Sequence, residues 1–435
     1  MNSFPNPRRS ALELLDAVLT QKTPLEDAFA RDRGTAALEP RDRAFVRNLL
    51  GTTLRHLGEI DALIDHALEK PLPDRAALVR QVLRTGIVQL CFLDTPPHAA
   101  VDSSVGLLQD TPLASYKGLV NAVLRRLARE GKAKLGDFDA PCLNTPAWLW
   151  ESWKRTYGEA LCRKIALAHL REAPLDLTFR EGLGRKETDA LAEKLGATPL
   201  PTGSFRLSAH GRVEALPGYD EGLWWVQDAA AAIPARLFGA VQGKNVLDLC
   251  AAPGGKAAQL ADRGAHVFAV DRSPARLARL RANASRLHLD LEAVEADALR
   301  WRPKRPAPFV LLDAPCSATG TLRRHPDIAW QKTPDDIKKL SALQTKLLKA
   351  AAAMTAPGGL LVYAVCSLEP QERVAQVETL LASGSSFTRE PIAPEEVGGM
   401  GELLTPKGDL RTLPSHFEAL GGIDGFYAAR LRKSR

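Results

Sequence analysis

Apolar residues recur at helical spacing through the first third of the chain. Ala11, Leu12, Leu14, Leu15, Val18 and Leu19 make one stripe, and Phe45, Val46, Leu49, Leu50 and Leu54 make another. A period near 3.6 sets such residues on one face of a helix. Pro71, Pro73 and the Pro96-Pro97 pair punctuate the pattern, and the run from Leu119 to Leu127 closes it, because proline lacks the amide donor that a helix interior requires. Residues 1–135 are therefore predicted to form an all-α bundle of about seven helices. A linker with Gly136, Pro141 and Pro146 follows. Residues 147–217 mix two helices (147–157 and 159–171) with strand-like pieces at Leu175–Arg180 and Ser204–Leu207. Residues 136–217 thus read as a linker and a small α/β module.

From about residue 218 to the end the pattern is different. Short apolar runs at Asn245–Leu249, His266–Val270, Leu291–Glu295, Phe309–Leu312 and Leu360–Val365 alternate with helical patterns at 228–238, from Lys256, at 275–287 and at 334–354. Gln227 and Asp228 stand where capping residues of the 228–238 helix would be. Strands that alternate with helices imply a parallel, doubly wound sheet. The expected division is a helical domain over 1–135, a small module over 136–217 and an α/β domain over 218–435.

Composition narrows the class. With 45% hydrophobic and 25% charged residues the chain is that of a globular protein. No stretch reaches the ~18 uncharged apolar residues of a membrane helix, so no membrane is expected. The N-terminal Met-Asn-Ser-Phe-Pro-Asn-Pro-Arg-Arg has no apolar core of a secretory leader, which makes the cytoplasm the expected location. The formal charge of +7 agrees with a polyanionic partner without requiring one. Six cysteines (91, 142, 162, 250, 316 and 366) form no CxxC pair, so neither a zinc site nor any other metal is expected. Nothing demands more than a monomer.

The chemistry gathers where the α/β strands end, which is where ligands bind in open sheets of this kind. The first strand runs into Asp248-Leu-Cys250-Ala251-Ala252-Pro253-Gly254-Gly255-Lys256. Small residues there let backbone approach a ligand, and the following helix offers unpaired amides. The spacing is neither GxGxxG nor GxxxxGK[ST], so a pyrophosphate ligand is disfavoured. Asp271 ends the second strand, placed to accept from ribose hydroxyls, and Asp297 follows the third, placed to accept from an adenine amino group. These positions point to a nucleoside-containing ligand without phosphate, and S-adenosylmethionine is one.

The fourth strand ends in Asp313-Ala-Pro-Cys316 and the fifth in Tyr363-Ala-Val-Cys366. Two thiols at neighbouring strand ends, one beside a carboxyl, suit methylation at carbon 5 of cytosine. A thiolate adding to carbon 6 makes carbon 5 nucleophilic. The carboxyl of Asp313 can stabilise N3 of the ring, and the second thiol can assist release. A thiolate favours electropositive surroundings, which Lys256, Arg323 or Arg324 can supply.

Taken together, DLCAAPGGK (248–256), DAPCSATGTLRRHPDIAW (313–330) and YAVCSLEPQE (363–372) resemble the Sun-type RNA cytosine-C5 methyltransferases along their catalytic domain. The terminal DGFYAARL (424–431) is similar to that family's closing strand. PRDR (40–43), GTTLRHLGEIDALI (51–64), LRTGIVQL (83–90) and GLVNAVLRRL (118–127) resemble the NusB-like helical RNA-binding domain, a fusion found in the RsmB/Sun branch. The resemblance is weakest over 180–217 and 385–420. It implies a Rossmann-like class I methyltransferase with a mostly parallel seven-stranded sheet, and S-adenosylmethionine held by residues 250–256, Asp271, Asp297 and Asp313. It further implies Cys366 as nucleophile, Cys316 as the residue that helps release product, and cytosine 967 of 16S ribosomal RNA as target. Val365 stands where the family usually has Thr before the nucleophile.

Two rival readings make different demands. A DNA cytosine methyltransferase would use the Cys of Pro-Cys, here Cys316, and would carry a downstream Glu-Asn-Val that this chain lacks, so no DNA partner is expected. An RNA-binding factor with a relic catalytic domain predicts erosion of the loop or the nucleophile, and both are intact. Arg8, Arg9, Arg125 and Arg126 are candidate phosphate contacts that read better as surface charges, and Trp224, Trp225 and Trp330 read better as packing than as stacking platforms for a base.

Overall fold

The computed structural model describes residues 6–208 and 211–435, which fall into two compact units. Residues 6–171 and 322–332 form one, and 172–321 with 333–435 form the other. The Met1–Pro5 part of the stretch read for a leader lies outside the described residues.

The first unit is helical throughout. Within the stretch expected to hold about seven helices the described residues form eight, including the single turn Arg33–Ala36. Asn6 starts the first helix, Pro7–Leu19, by accepting from the amides of Arg8 and Arg9. Helix Ala77–Cys91 runs through the middle and buries side chains around most of its circumference, from Val79 and Val82 to Ile87 and Val88. Arg8 donates to Gln89 and Arg9 to the carbonyl of Leu107, so both stitch the bundle together. Helices Ala147–Tyr157 and Glu159–His169, expected with the small module, belong to this unit.

Residues 322–332 join the same unit although they follow the DAPC motif in sequence. The carboxylate of Asp327 accepts from the Leu25 amide at 3.0 Å, Trp330 donates to the carbonyl of Leu54 at 2.8 Å, and Gln331 donates to that of Thr23 at 2.7 Å. Trp330 therefore packs and bonds within the bundle.

In the second unit, strands β1 (Leu175–Phe179), β2 (Ala197–Pro199), β3 (Phe205–Leu207) and β4 (Trp224–Val226) make a small antiparallel sheet in the order β2-β3-β1-β4. Trp224 and Trp225 are buried in it. Asp176 and Arg206 pair across β1 and β3 with two bonds of 2.7 Å, in a setting that is almost wholly buried. Over 228–238 only Ile233–Arg236 is helical, because Pro234 cannot donate to a carbonyl one turn back and is tolerated only in the first turn. Asp228 accepts from the Ala230 amide in the preceding turn, while Gln227 bridges Thr178, Trp225 and Gln259 in the core. Asp228 thus caps a turn, and Gln227 is a buried polar link rather than a cap.

The larger sheet holds β5 (Asn245–Leu249), β6 (His266–Asp271), β7 (Glu292–Glu295), β8 (Ala307–Asp313), β9 (Thr355–Val365), β10 (Phe387–Arg389), β11 (Leu410–Thr412) and β12 (Phe426–Lys433). Its order is β10-β12-β9-β8-β5-β6-β7, with β11 also paired to β12. That makes eight strands instead of the seven expected. Strands β5 to β9 are mutually parallel, and β10, β11 and β12 are antiparallel to their neighbours. Alternation along the strands fills both faces. Val310, Leu312, Leu361, Tyr363 and Val365 face one core with Leu347 and Leu348, while Leu311, Val362 and Ala364 face the other with Leu260 and Leu277. Helix Pro334–Met354 begins with a reciprocal box between Thr333 and Asp336.

The helical unit contains a buried histidine with a consequence for stability. Both ring nitrogens of His169 are enclosed without a hydrogen-bond partner among the described residues. Burial, then the positive charges of Arg323 and Arg55, push its pKa down to about 3. The folded state keeps this ring neutral while the unfolded chain protonates it near its ordinary value, so its contribution is present above about pH 6.5 and declines as pH falls toward 3. His169→Phe, which cannot protonate, should flatten the acid limb of a melting-temperature profile between those values; an unchanged limb would count against the assignment.

Candidate active site

The parallel pairing of β8 with β9 sets Leu312 beside Tyr363 and Asp313 beside Ala364. Each strand then runs out into a loop with a cysteine, and the two sulfurs of Cys316 and Cys366 lie 3.4 Å apart. Both residues are partly exposed. The chain separation of fifty residues therefore disappears in the fold. Close approach of backbone holds the loops: Gly320 donates to the Cys366 carbonyl at 3.0 Å, and Gly425 donates to that of Gly320 at 2.8 Å. A Cβ on Gly320 would stand 1.9 Å from the Gly425 oxygen.

The thiol of Cys316 is pushed well above its ordinary pKa by its hydrogen bond with Cys366, by burial, and by the charges of Cys366 and Glu372.

Next to the cysteines sits a charged cluster. Lys256 donates to Asp313 at 2.7 Å and its ammonium lies 4.9 Å from the centre of the Phe426 ring. Burial works against the Lys256 charge, but Asp313 more than offsets this, helped by Asp248 and the Cys366 sulfur, and the pKa is raised. Asp248 is fully buried, and neither carboxyl oxygen has a hydrogen-bond partner among the described residues. Burial foremost, then the neighbouring Asp313, push its pKa up to about 8, against the opposing pull of Lys256. Arg323 and Arg324, the other cations considered, belong to the helical unit.

An open cleft of about 550 Å³ lies at the ends of β6 and β7. Cys250, Asp271 and Asp297 line it together with Val270, Ala298 and Leu347. Asp271 is anchored by the amides of Ala252 at 3.2 Å and Ser273 at 2.9 Å, with Arg276 at 3.4 Å. Its Oδ1, which takes the Ser273 amide, retains a lone pair for a further donor. Asp297 accepts from the Leu299 amide at 2.9 Å and is exposed. Acceptors placed beside an apolar slot fit the ribose and adenine of S-adenosylmethionine. The loop 250–256 borders this region with Cys250 at φ 61° and Gly254 at φ 107°, where a Cβ on Gly254 would meet the Leu280 side chain at 2.8 Å. Of the expected ligand residues, Cys250, Asp271 and Asp297 reach the cleft, while Asp313 is turned to Lys256.

Sequence reasoning missed the buried state of Asp248 and the link from Glu372 to both cysteine loops. The PQE run after the second cysteine was the one available signal for Glu372.

Two outcomes follow. Gly254→Ala should weaken S-adenosylmethionine binding at least tenfold in titration calorimetry and cost about 1–3 kcal/mol of stability, because it combines strain at positive φ with a clash; wild-type affinity would contradict the loop's role. For Asp248, the folded state retains a proton that the unfolded chain releases near pH 4, so stability falls as pH rises from about 4 to about 8 and then levels. Asp248→Asn should remove that decline in denaturant titrations across the range.

Comparisons with known proteins agree with this geometry. The family profile for 16S rRNA methyltransferase RsmB/F matches residues 236–432, and that for the NusB family matches 5–129. Ribosomal RNA small subunit methyltransferase B of Pseudomonas syringae is 36% identical over 98% of this chain and 97% of its own length. The protein of the same name from Escherichia coli O17:K52:H18 is 32% identical over the full length of both. Among solved structures, the protein PH0851 aligns with a TM-score of 0.76 over 98% of this chain and 99% of its own at 21% identity, a likeness of fold. A methyltransferase homolog protein from Pyrococcus horikoshii aligns with a TM-score of 0.54 over 66% of this chain and 99% of its own at 25% identity. The chain belongs to the RsmB/Sun family of ribosomal RNA small-subunit methyltransferases, with a NusB-type helical domain ahead of a Rossmann-like catalytic domain and S-adenosylmethionine as methyl donor.

Proposed function

We propose that this protein methylates carbon 5 of a cytosine in 16S ribosomal RNA, cytosine 967 being the target that the family resemblance implies, through a covalent bond between Cys366 and the base. The observation that carries the reading is the pair of thiols 3.4 Å apart beside the Lys256–Asp313 pair. S-adenosylmethionine supplies the electrophilic methyl group when bound, with residues 250–256, Asp271 and Asp297 as its holders. Asp313 has a contact to Lys256, and we assign it to the base rather than to the donor.

Cys366 as thiolate adds to carbon 6 of the ring, and the electron pair passes through the ring to O2 and N3, where Asp313 donates a proton that it takes from its partner Lys256. Carbon 5 then carries the nucleophilic density for methyl transfer. Loss of the carbon 5 proton to water, return of the N3 proton to Asp313 and expulsion of the Cys366 sulfur as thiolate restore the aromatic ring. The raised pKa of Cys316 suits a partner that exchanges protons at this release step and does not compete as nucleophile. The base must leave its stack to reach the sulfur.

The division of labour proposed here gives residues 1–135 RNA binding and 218–435 catalysis, while the expected linker and module, 136–217, is shared between the helical unit up to Arg171 and the second unit beyond it. The reading carries with it a monomer acting in the cytoplasm with no DNA partner. Among the described residues no helix is long and apolar enough to cross a membrane.

The test is methyl transfer from labelled S-adenosylmethionine to unmodified 16S RNA, with the product mapped. Label in a cytosine is expected; label in an adenine would overturn the chemistry, and a cytosine elsewhere would overturn the target alone. Cys316→Ala should accumulate a covalent protein–RNA adduct on denaturing gels with turnover reduced at least ~100-fold. Cys366→Ala should form no adduct and no product. The reverse pattern would exchange the two roles.

A further inference from the structure

Glu372 ends the short turn Pro370–Glu372 that follows the Cys366 loop, and it has no exposed surface. Its carboxylate takes four hydrogen bonds, all from uncharged donors. One oxygen accepts from the backbone amide of Ser317 at 2.9 Å and from the side-chain amide of Gln344 at 3.0 Å. The other accepts from the hydroxyls of Ser367, at 2.5 Å, and Ser317. Gln344 also donates to the Pro315 carbonyl at 2.9 Å, and the Tyr363 hydroxyl donates to the Glu372 carbonyl at 2.6 Å.

The partners in these bonds share a position. Pro315 and Ser317 flank Cys316, and Ser367 follows Cys366. One carboxylate therefore ties together two loops that arise from different strands, and the two serine hydroxyls lie 3.1 Å apart across it. A buried carboxylate is costly unless its lone pairs are filled, and a network this complete holds its members in one arrangement. An amide or an alkyl group of the same size would fill the space, so packing alone does not require a charge here.

We infer that Glu372 is the positioning residue that sets the spacing of the two thiols, acting through Ser317 and Ser367 without touching the RNA or the methyl donor. The inference rests on the reading of Cys366 and Cys316 as the reacting pair. Thiols that must act in turn on one base need a fixed separation, and displacement by about 1 Å can cost ~100-fold in rate.

The experiment measures the spacing by a route independent of methylation. The oxidant diamide accepts two electrons and two protons from a pair of thiols, becoming the hydrazine as one S–S bond forms. Closure of the Cys316–Cys366 bond in the full-length protein is followed by peptide mass, which separates it from bonds to Cys250. Glu372→Leu should slow this closure at least tenfold. It should also lower kcat for RNA methylation ~100-fold while leaving KM for S-adenosylmethionine within about twofold. Glu372→Gln keeps the shape and one acceptor, and the serine hydroxyls can turn to accept from its amide, so it should restore both rates to within about tenfold of wild type. If the Leu variant does not fold, Ser367→Ala removes one tie and leaves the other three. It should slow closure and turnover together by about tenfold. Wild-type closure and kcat in the variants that fold would overturn the inference. Should Cys366→Ala still methylate RNA, the nucleophile assignment fails while the closure rates still report on Glu372.

Discussion

From Phe309 and Leu360 up to Asp313 and Ala364, strands β8 and β9 run parallel and in register, and the proposed catalytic arrangement depends on that pairing. Parallel neighbours end at the same edge of a sheet, so whatever follows each strand is delivered to the same place. Here the deliveries are Pro-Cys316 from one strand and Cys366 from the next. A slip of one residue would exchange inward and outward side chains all along β9, moving Tyr363 and Val365 out of one core and Val362 and Ala364 out of the other. The hydrophobic packing of both faces therefore fixes the register that brings the two cysteine loops to one edge.

Around this pair the unit accumulates carboxyl groups in very different states. Asp313 is paired with a buried lysine, Asp248 is buried without a partner among the described residues with its pKa pushed up to about 8, and Glu372 is held by neutral donors. The differences come from local supply of donors and charge, since all three lie close to the same strand ends. The same environment raises the pKa of Cys316. Charge, burial and hydrogen bonding thus divide roles between residues that look alike in sequence.

Sequence reading located some elements closely. Strand Asn245–Leu249 and helix 334–354 form where periodicity and the flanking Gly, Pro and Thr signals place them. It did worse where strands are three residues long. β10 and β11 fell in a stretch with weak resemblance, and their pairing with β12 makes the eighth strand. Such segments carry too few residues to display a period, and their conformation comes from the neighbour they bond to. The 228–238 segment failed for another reason: its alanine-rich composition favours helix, but Pro234 restricts the helix to the turn beginning at Ile233.

For the site, motif residues could be named from the sequence because each follows a strand, and in an α/β sheet that alone fixes which edge it occupies. Cys250, Asp271, Asp297, Asp313, Cys316 and Cys366 were all identified in this way. The partners of those residues were not legible. That Asp313 bonds to Lys256, that Asp248 has no donor among the described residues, and that Glu372 grips both cysteine loops depend on distances between segments up to fifty-seven positions apart. So does the placement of residues 322–332, whose Asp327 and Trp330 bond within the helical unit although the preceding motif belongs to the other. Local pattern determines which elements form and which edge of the sheet a side chain joins. Burial and hydrogen bonding between remote segments decide its protonation and its partner, and these exist only once the chain has folded.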